Sequence, residues 1–188
     1  MGVPGLLLTG GASSRMGTPK ATLVMNGERL VDRATRHLLV ACDPVVEIGP
    51  GYGTLTRVDE DPPGRGPLAG LVAGADAVGG SGPVLLLACD LPFVTEALLV
   101  RLATWPGTGT VVPVDRDGIE QPVCARYSRA ALDRARALLA DGERSLRSLL
   151  RNSDVIRLDD VDAAELVDVD TPDEARRWGI RTAGSLES

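Results

Sequence analysis

The stretch Val84–Ala88 is apolar at every position, and it is the feature that most constrains the fold of this chain. A strand with one face in water alternates polar and apolar side chains, whereas a strand covered on both faces is apolar throughout. The stretch therefore predicts a strand near the middle of a sheet that has helices on both sides.

Short apolar runs alternate along the rest of the chain with segments of helical period, which is the pattern of strands and crossover helices in a parallel sheet. Further strands are predicted at residues 3–8, 45–48 and 55–58. Helices are predicted over residues 30–41, from Pro67, after Ser128, and after the cap at Thr171. We expect an α/β fold in one three-layer domain over residues 1–180, with a mostly parallel central sheet flanked by helices, and a frayed tail at 181–188.

The composition argues against several classes of function. The formal net charge of −6 disfavours general nucleic-acid binding, which requires a basic face, and no apolar run is long enough to span a membrane. The three cysteines, Cys42, Cys89 and Cys124, are too widely spaced for a disulfide framework or a zinc site. We expect a cytoplasmic protein that binds neither nucleic acid nor membranes, and a few local cations would still allow a small anionic ligand.

A loop rich in small residues, LTGGASSRMGTPK, runs from Leu8 to Lys20 after the first predicted strand. Glycine N–H groups and serine hydroxyls can approach an anion closely, and Arg15 and Lys20 can neutralise its charge. Ligands of open α/β sheets also bind beyond the carboxyl ends of strands. The spacing matches neither the Walker motif nor the dinucleotide fingerprint. We predict that the loop binds phosphate; the alternative is a solvated surface turn.

Lys20 is the only lysine among the 20 Lys and Arg residues of the chain. A compact ammonium and a planar guanidinium differ in geometry and are not interchangeable. Because the chain otherwise supplies positive charge with arginine, a lysine in the glycine-rich loop favours direct contact with phosphate.

Carboxylates are predicted at the same edge of the sheet. Asp90 follows the central strand, where a hard oxygen ligand suits Mg²⁺, which takes one or two protein carboxylates together with substrate phosphates. The alternative is that Asp90 caps a turn. Asp168 and Asp170 would share one face of a strand and could complete the metal or substrate site, or Asp170 could simply favour the positive end of the following helix.

Three motifs in order carry a family resemblance: residues 8–20, GPLAG at 66–70, and CDLPF at 89–93. Segments at 121–125, 142–146 and 168–172 continue the same order. With these motifs the chain resembles the molybdenum cofactor guanylyltransferases, the MobA family, within the nucleotidyltransferases of the sugar-nucleotide pyrophosphorylase type. The resemblance implies the Rossmann-like fold of the nucleotide-diphospho-sugar transferases. Thr9 departs from a common alanine, and Asp168 and Asp170 stand where some members have asparagine.

The resemblance also implies roles for the matching positions. The implied nucleotide contacts are Leu8, Thr9, Gly10, Gly11, Lys20, Asp61 and Asp90, with Ile48 or Gly49 nearby. Asp90 would hold Mg²⁺, and Arg15 and Lys20 would neutralise the phosphates during catalysis. Asp168, Asp170 and Arg144 are candidates for the pterin substrate or a second metal, with Arg147 a weaker candidate for the pterin phosphate.

The reaction implied by the resemblance is the Mg²⁺-dependent transfer of GMP from GTP to the terminal phosphate of molybdopterin, with release of pyrophosphate. A protein that transiently delivers molybdopterin is an implied partner. The alternatives are CMP transfer from CTP to molybdopterin, transfer to a sugar 1-phosphate, and a regulatory nucleotide-binding domain without catalysis.

Overall fold

The strands of the central sheet lie on both sides of the apolar stretch at residues 84–88. The computed structural model describes residues 2–10, 16–60, 64–79 and 81–182, and within them the sheet has seven strands. These are β1 (Gly5–Leu8), β4 (Val45–Ile48), β5 (Thr56–Val58), β6 (Val84–Ala88), β7 (Thr110–Pro113), β8 (Cys124–Tyr127) and β9 (Val155–Leu158). Strands β2 (Val24–Met25) and β3 (Glu28–Arg29) form a separate antiparallel ribbon.

The strand order of the sheet is β5-β4-β1-β6-β8-β7-β9. Strands β5, β4, β1 and β6 are parallel to one another, β8 is antiparallel to both of its neighbours, and β9 is parallel to β7. Every residue of β6 is buried, which confirms its predicted central position in a mostly parallel sheet. Because β4, β1 and β6 run in the same direction, their carboxyl ends meet at one edge.

Helices cover both faces of the sheet, which confirms the three-layer fold. The α-helices in the described residues are α1 (Leu30–Ala41), α2 (Pro67–Val78), α3 (Glu96–Ala103), α4 (Arg129–Ala140), α5 (Leu146–Arg151) and α6 (Pro172–Arg177). Helices α1 and α3 pack on one face, and α2, α4 and α5 pack on the other. In this part of the chain, every helix is too short or too polar to cross a lipid bilayer.

Two glycines allow α2 to pack closely on the sheet. A Cβ atom at Gly70 would lie 2.7 Å from Leu8 Cδ2, and one at Gly74 would lie 3.0 Å from both Ile48 Cδ1 and Leu6 Cδ2. The absence of side chains here brings the helix backbone against β1 and β4. The start of α2 therefore lies beside the edge where these two strands end.

Helix α6 lies outside the two helix layers that cover the sheet, and it packs on the segment that follows Lys20. Its apolar side packs with the ribbon residues in a third cluster, composed of Leu23, Met25, Leu30, Val169, Ala175 and Ile180. Beyond the helix, Arg181 pairs with Val24 through two backbone hydrogen bonds of 2.7 and 2.9 Å. Arg181, the first residue of the expected frayed tail, is therefore paired, because Val24 of the ribbon bonds to both its N–H and its carbonyl. Residues 183–188 lie outside the described residues.

The three cysteines are buried and free. Burial raises the pKa of the Cys42 thiol to about 12 and that of Cys124 to about 12. Since the thiolate is the reactive form of cysteine, these side chains behave as small apolar groups of the core.

Candidate active site

The ends of β4, β1 and β6 are joined to one another at the carboxyl edge of the sheet. The Thr9 N–H, just after β1, donates to the Ile48 carbonyl at 3.0 Å, and the Cys89 N–H, just after β6, donates to the Leu8 carbonyl at 3.0 Å. The Leu8 side chain itself is buried in the core. Asp90 therefore begins its loop directly beside the start of the glycine-rich segment.

Lys20 connects two carboxylates that are distant from it in sequence. Its Nζ donates to Asp90 Oδ2 at 2.9 Å and also donates to Asp170 Oδ1. The side chains of Lys20 and Asp90 are 19% and 23% exposed, so this cluster is partly shielded but can be reached from solvent. The structure brings the lysine predicted to bind phosphate and the aspartate predicted to bind metal into direct contact, and it adds Asp170 to them.

The charges of this cluster favour a bound cation. Burial alone would lower the pKa of Lys20, but the carboxylates of Asp90 and Asp170 outweigh burial and raise that pKa, so the ammonium stays charged. Although much of Asp168 is exposed, desolvation raises the pKa of its carboxyl, and the charges of Asp170 and Asp90 raise it further. Three carboxylates therefore lie near one ammonium, an excess of negative charge that a divalent cation would balance.

One oxygen of Asp90 is available to a ligand. Asp90 Oδ1 is buried and has no hydrogen-bond partner among the described residues, which is unfavourable for a carboxylate oxygen unless something else fills the position. Within the same residues, no group of three or more His, Cys, Asp or Glu side chains could hold a metal ion. Magnesium needs no such group, because it takes one or two protein carboxylates and completes its shell with water and substrate phosphates.

Asp170 is positioned by the first turn of α6. The helix is capped by Thr171, whose hydroxyl accepts from the Glu174 N–H, and the Glu174 carboxylate accepts from the N–H groups of Asp170 and Thr171 at 2.9 Å. The neighbouring Val169 N–H donates to the Asp90 carbonyl at 3.0 Å. Because Thr171 caps the helix, the Asp170 carboxylate is not needed as a cap and accepts from Lys20.

Residues 167–170 form no strand, so the shared strand face considered for Asp168 and Asp170 does not occur. The Val169 N–H is directed at the loop after β6 instead of at a neighbouring strand. Asp170 consequently reaches Lys20 by direct contact, whereas Asp168 remains largely exposed beside the cluster.

The loop that follows Asp90 is held from two sides. Arg33 Nε of α1 donates to the Pro92 carbonyl at 2.7 Å. The ring of Phe93 meets that of Trp178 at an interplanar angle of 60°, with 4.8 Å between ring centroids. The loop is thereby fixed between α1 and the end of α6, the helix that positions Asp170.

A buried carboxylate that the sequence analysis did not identify lies on the other side of β1. Glu47 of β4 is fully buried, and its Oε1 accepts from the Thr9 hydroxyl at 2.6 Å. Thr9 was expected to contact the nucleotide, but this bond turns its side chain inward. The available signal was a single charged residue within the apolar run VVEI, since buried charges require specific partners.

Gly49 and Gly10 bring two backbones together at the end of β1. Gly49 has φ of +136°, and a Cβ atom there would lie 2.6 Å from Gly10 N and 2.8 Å from Thr9 Oγ1. Ile48 and Gly49 therefore adjoin the glycine-rich segment. Gly10 is exposed, so its backbone is the part of this junction that a ligand can reach.

Four further candidate residues lie elsewhere or are not described. Gly11, Arg15 and Asp61 fall outside the described residues. Arg144 is exposed, and its carbonyl accepts from the Leu68 N–H at the start of α2, at 3.3 Å. The Arg144 N–H also donates to Glu143 Oε1 at 2.8 Å. Its backbone thus lies beside the GPLAG segment, and none of its described hydrogen bonds joins it to Lys20.

Comparisons with known proteins identify the family of the chain. Residues 5–161 match the family described as the MobA-like NTP transferase domain. The chain is 31% identical to "Probable molybdenum cofactor guanylyltransferase" of Chloroflexus aggregans, an alignment that covers 94% of this chain and 93% of the relative.

Solved structures share the fold. Molybdopterin-guanine dinucleotide biosynthesis protein A from Archaeoglobus fulgidus superposes with a TM-score of 0.77 and 19% identity, over 94% of this chain and 96% of the other. A Mycobacterium tuberculosis protein solved as a complex with manganese gives a TM-score of 0.66 and 20% identity, over 95% and 98%. The fold, the site at the strand ends and the sequence match lead to one conclusion: the chain belongs to the MobA-like NTP transferase family and is a nucleotidyltransferase.

Proposed function

We propose that this protein transfers GMP from GTP to the terminal phosphate of molybdopterin and releases pyrophosphate, with Mg²⁺ bound at Asp90. The observation that carries the proposal is the convergence of Lys20, Asp90 and Asp170 at the end of β1 and β6. The names of the sequence relatives support the choice of substrates, since they describe molybdenum cofactor guanylyltransferases. The reaction would take place in the cytoplasm, after a partner protein has delivered molybdopterin.

The proposed reaction is a single displacement. An oxygen of the molybdopterin phosphate attacks the α-phosphorus of GTP, a new P–O bond forms, and the bond between the α- and β-phosphates breaks to release pyrophosphate. No covalent intermediate with the protein is required. Transfers of this type are helped mainly by positioning and by neutralisation of charge, both of which the cluster can supply.

The residues of the chain divide these tasks between them. The Lys20 ammonium, kept charged by its two carboxylates, neutralises phosphate oxygens, and Arg15 is proposed to assist it. Asp90, whose Oδ1 has no described partner, would hold the metal, and the metal would offset negative charge on the triphosphate. The manganese complex of the Mycobacterium tuberculosis relative supports a divalent cation in this family.

The nucleotide and the acceptor are assigned to different groups of residues. We assign the nucleotide to the backbone of Gly10 and Gly11, with Asp61 at the nucleoside. The acceptor is assigned to the side of Asp168 and Asp170, where the raised pKa of Asp168 marks carboxylates that would be stabilised by a cation or a donor group. Arg144 is the proposed contact for the pterin phosphate.

The experiment measures pyrophosphate release with Mg²⁺ and each of the four nucleoside triphosphates, with either molybdopterin or a sugar 1-phosphate as the acceptor. We expect turnover with GTP and little with the others. Turnover with CTP would reassign the enzyme to CMP transfer, and turnover only with a sugar 1-phosphate as acceptor would reassign the acceptor. Nucleotide binding without pyrophosphate release under any of these conditions would contradict a catalytic function.

A further inference from the structure

Glu47 is a carboxylate in a place where a charge is normally unfavourable. It is 0% exposed, it lies on β4 beside Leu7 of β1, and its neighbours along the strand, Val46 and Ile48, are in the core. A buried carboxylate is tolerated only when donors surround it. The partners of Glu47 therefore indicate what the residue is for.

All the described hydrogen bonds of the Glu47 carboxylate come from the carboxyl edge of the sheet. Oε1 accepts from the Thr9 hydroxyl at 2.6 Å and from the Tyr52 N–H at 2.6 Å, and Oε2 accepts from the Gly53 N–H at 2.9 Å. One donor belongs to the segment after β1, and the other two belong to the loop between β4 and β5. The carboxylate thus joins the Thr9–Gly10 segment of the proposed nucleotide site to the loop between β4 and β5.

The junction has no room for adjustment. Gly49 and Gly53 both follow Glu47 in sequence. A Cβ atom added at Gly49 would lie 2.6 Å from Gly10 N, and one added at Gly53 would lie 3.0 Å from Glu47 Oε2. Arg29 donates to the Tyr52 carbonyl at 3.1 Å, which fixes the same loop from the side of α1. The position of the Gly10 backbone therefore depends on Glu47 keeping its donors.

We infer that Glu47 and Thr9 are a positioning pair for the triphosphate, in which the buried carboxylate holds the Thr9–Gly10 backbone at the distance from β4 that nucleotide binding requires. The inference rests on the proposed function. Neither side chain touches the reacting atoms, because Glu47 is buried and the Thr9 hydroxyl donates to it. Loss of the bond should therefore weaken nucleotide binding and leave the chemical step nearly unchanged.

The test compares two buried threonines, one whose hydroxyl donates to Glu47 and one whose hydroxyl has no described partner. Thr9→Val removes the hydroxyl that donates to Glu47. Thr35→Val makes the same chemical change in α1, where the Thr35 hydroxyl is buried and has no hydrogen-bond partner among the described residues. The measurements are KM for GTP, kcat, the dissociation constant for Mg²⁺–GTP without acceptor, and the melting temperature.

For Thr9→Val we expect KM and the dissociation constant to rise about tenfold while kcat changes less than about twofold, as for loss of a hydrogen bond to a charged group. Thr35→Val should keep the wild-type values. Thr9→Ser, which keeps the hydroxyl, should recover most of the binding that Thr9→Val loses. Glu47→Gln replaces one acceptor oxygen by a donor and should raise KM in the same way.

Different results separate the inference from the proposed function. If the wild type turns over GTP but Thr9→Val keeps wild-type KM and dissociation constant, the positioning pair is refuted and the proposed function stands. The same holds if Thr35→Val weakens binding as much as Thr9→Val. If the wild type neither binds nor turns over any triphosphate, the proposed function fails and the inference fails with it. Should Glu47→Gln not fold, the Thr9 variants decide alone.

Discussion

Asp90 and Glu47 lie on either side of β1, yet their carboxylates are satisfied in opposite ways. Glu47 is fully buried and its two oxygens accept three hydrogen bonds from the chain. Asp90 is partly exposed, one oxygen pairs with Lys20, and the other has no partner among the described residues. A carboxylate whose oxygens all accept hydrogen bonds from the chain stabilises the backbone. One with a buried oxygen that lacks a described partner is a candidate for ligand binding.

This difference allows function and stability to be separated by mutation. Changes at Asp90 should affect turnover and leave the fold intact, and changes at Glu47 should affect the fold and the affinity for nucleotide. Trade-offs of this kind are expected where active-site groups are arranged for ligands instead of for the stability of the free protein.

The largest effect is expected from Asp90→Asn. Loss of the anionic oxygen should reduce the rate of pyrophosphate release with Mg²⁺ about a thousandfold or more, while the melting temperature stays near that of the wild type. The control is Asp160→Asn, because Asp160 is an exposed aspartate paired with Arg101 at 2.7 Å in a different part of the sheet edge. Wild-type rates in Asp90→Asn would remove Asp90 from the mechanism.

The second effect concerns stability. Glu47→Ala leaves the Thr9 hydroxyl and the N–H groups of Tyr52 and Gly53 without their acceptor, and should lower the free energy of unfolding by about 3 kcal/mol. In the same urea titration, Asp90→Ala should change it by less than about 1 kcal/mol, because that pair is partly exposed. An equal decrease in the free energy of unfolding in the two variants would contradict the view that only Glu47 stabilises the fold.

A third effect is expected from the only lysine. Lys20→Ala removes a charge from the proposed phosphate site and should raise KM for GTP about thirtyfold, equivalent to about 2 kcal/mol. Lys20→Arg should recover part of this loss, since it restores charge but not the compact geometry. A KM unchanged in Lys20→Ala would mean that the lysine serves only to balance Asp90 and Asp170.

The smallest effect distinguishes backbone strain from a steric clash. Gly49→Ala places a methyl group 2.6 Å from Gly10 N, whereas Gly107→Ala, also at positive φ, meets nothing within 4 Å. Both should lose stability through strain, and Gly49→Ala should lose about 1 kcal/mol more. Only Gly49→Ala should also raise KM for GTP. Identical KM values in the two variants would weaken the link between this junction and nucleotide binding.

The parts of the site that the sequence predicted are those with local signals. Asp90 follows an unbroken apolar strand, Lys20 is the only lysine and lies in a glycine-rich loop, and Thr171 begins a helix with a complete capping box. Each signal depends on neighbours within a few residues. The parallel strands and the long helices were predictable for the same reason, since their patterns are local.

The remaining features depend on contacts between distant segments. Strands β7, β8 and β9 and the reversed direction of β8 are set by pairings across the chain that short-range patterns do not encode. Two of the three donors to Glu47 are backbone N–H groups in a loop, and backbone groups carry no side-chain signature. The strand predicted around residues 167–170 does not form, because the Val169 N–H donates to the Asp90 carbonyl in a loop and not to a neighbouring strand.

The contact of Lys20 with Asp170 spans 150 residues of sequence, and this has a consequence for the time at which the protein becomes competent during its synthesis. A ribosome has already produced every strand of the central sheet, the last of which ends at Leu158, before it reaches Asp170. Until then Lys20 lacks one carboxylate, and Val24 lacks the backbone partner that Arg181 provides. The complete cluster is therefore a property of the nearly finished chain, and nascent chains that end before residue 170 cannot assemble it.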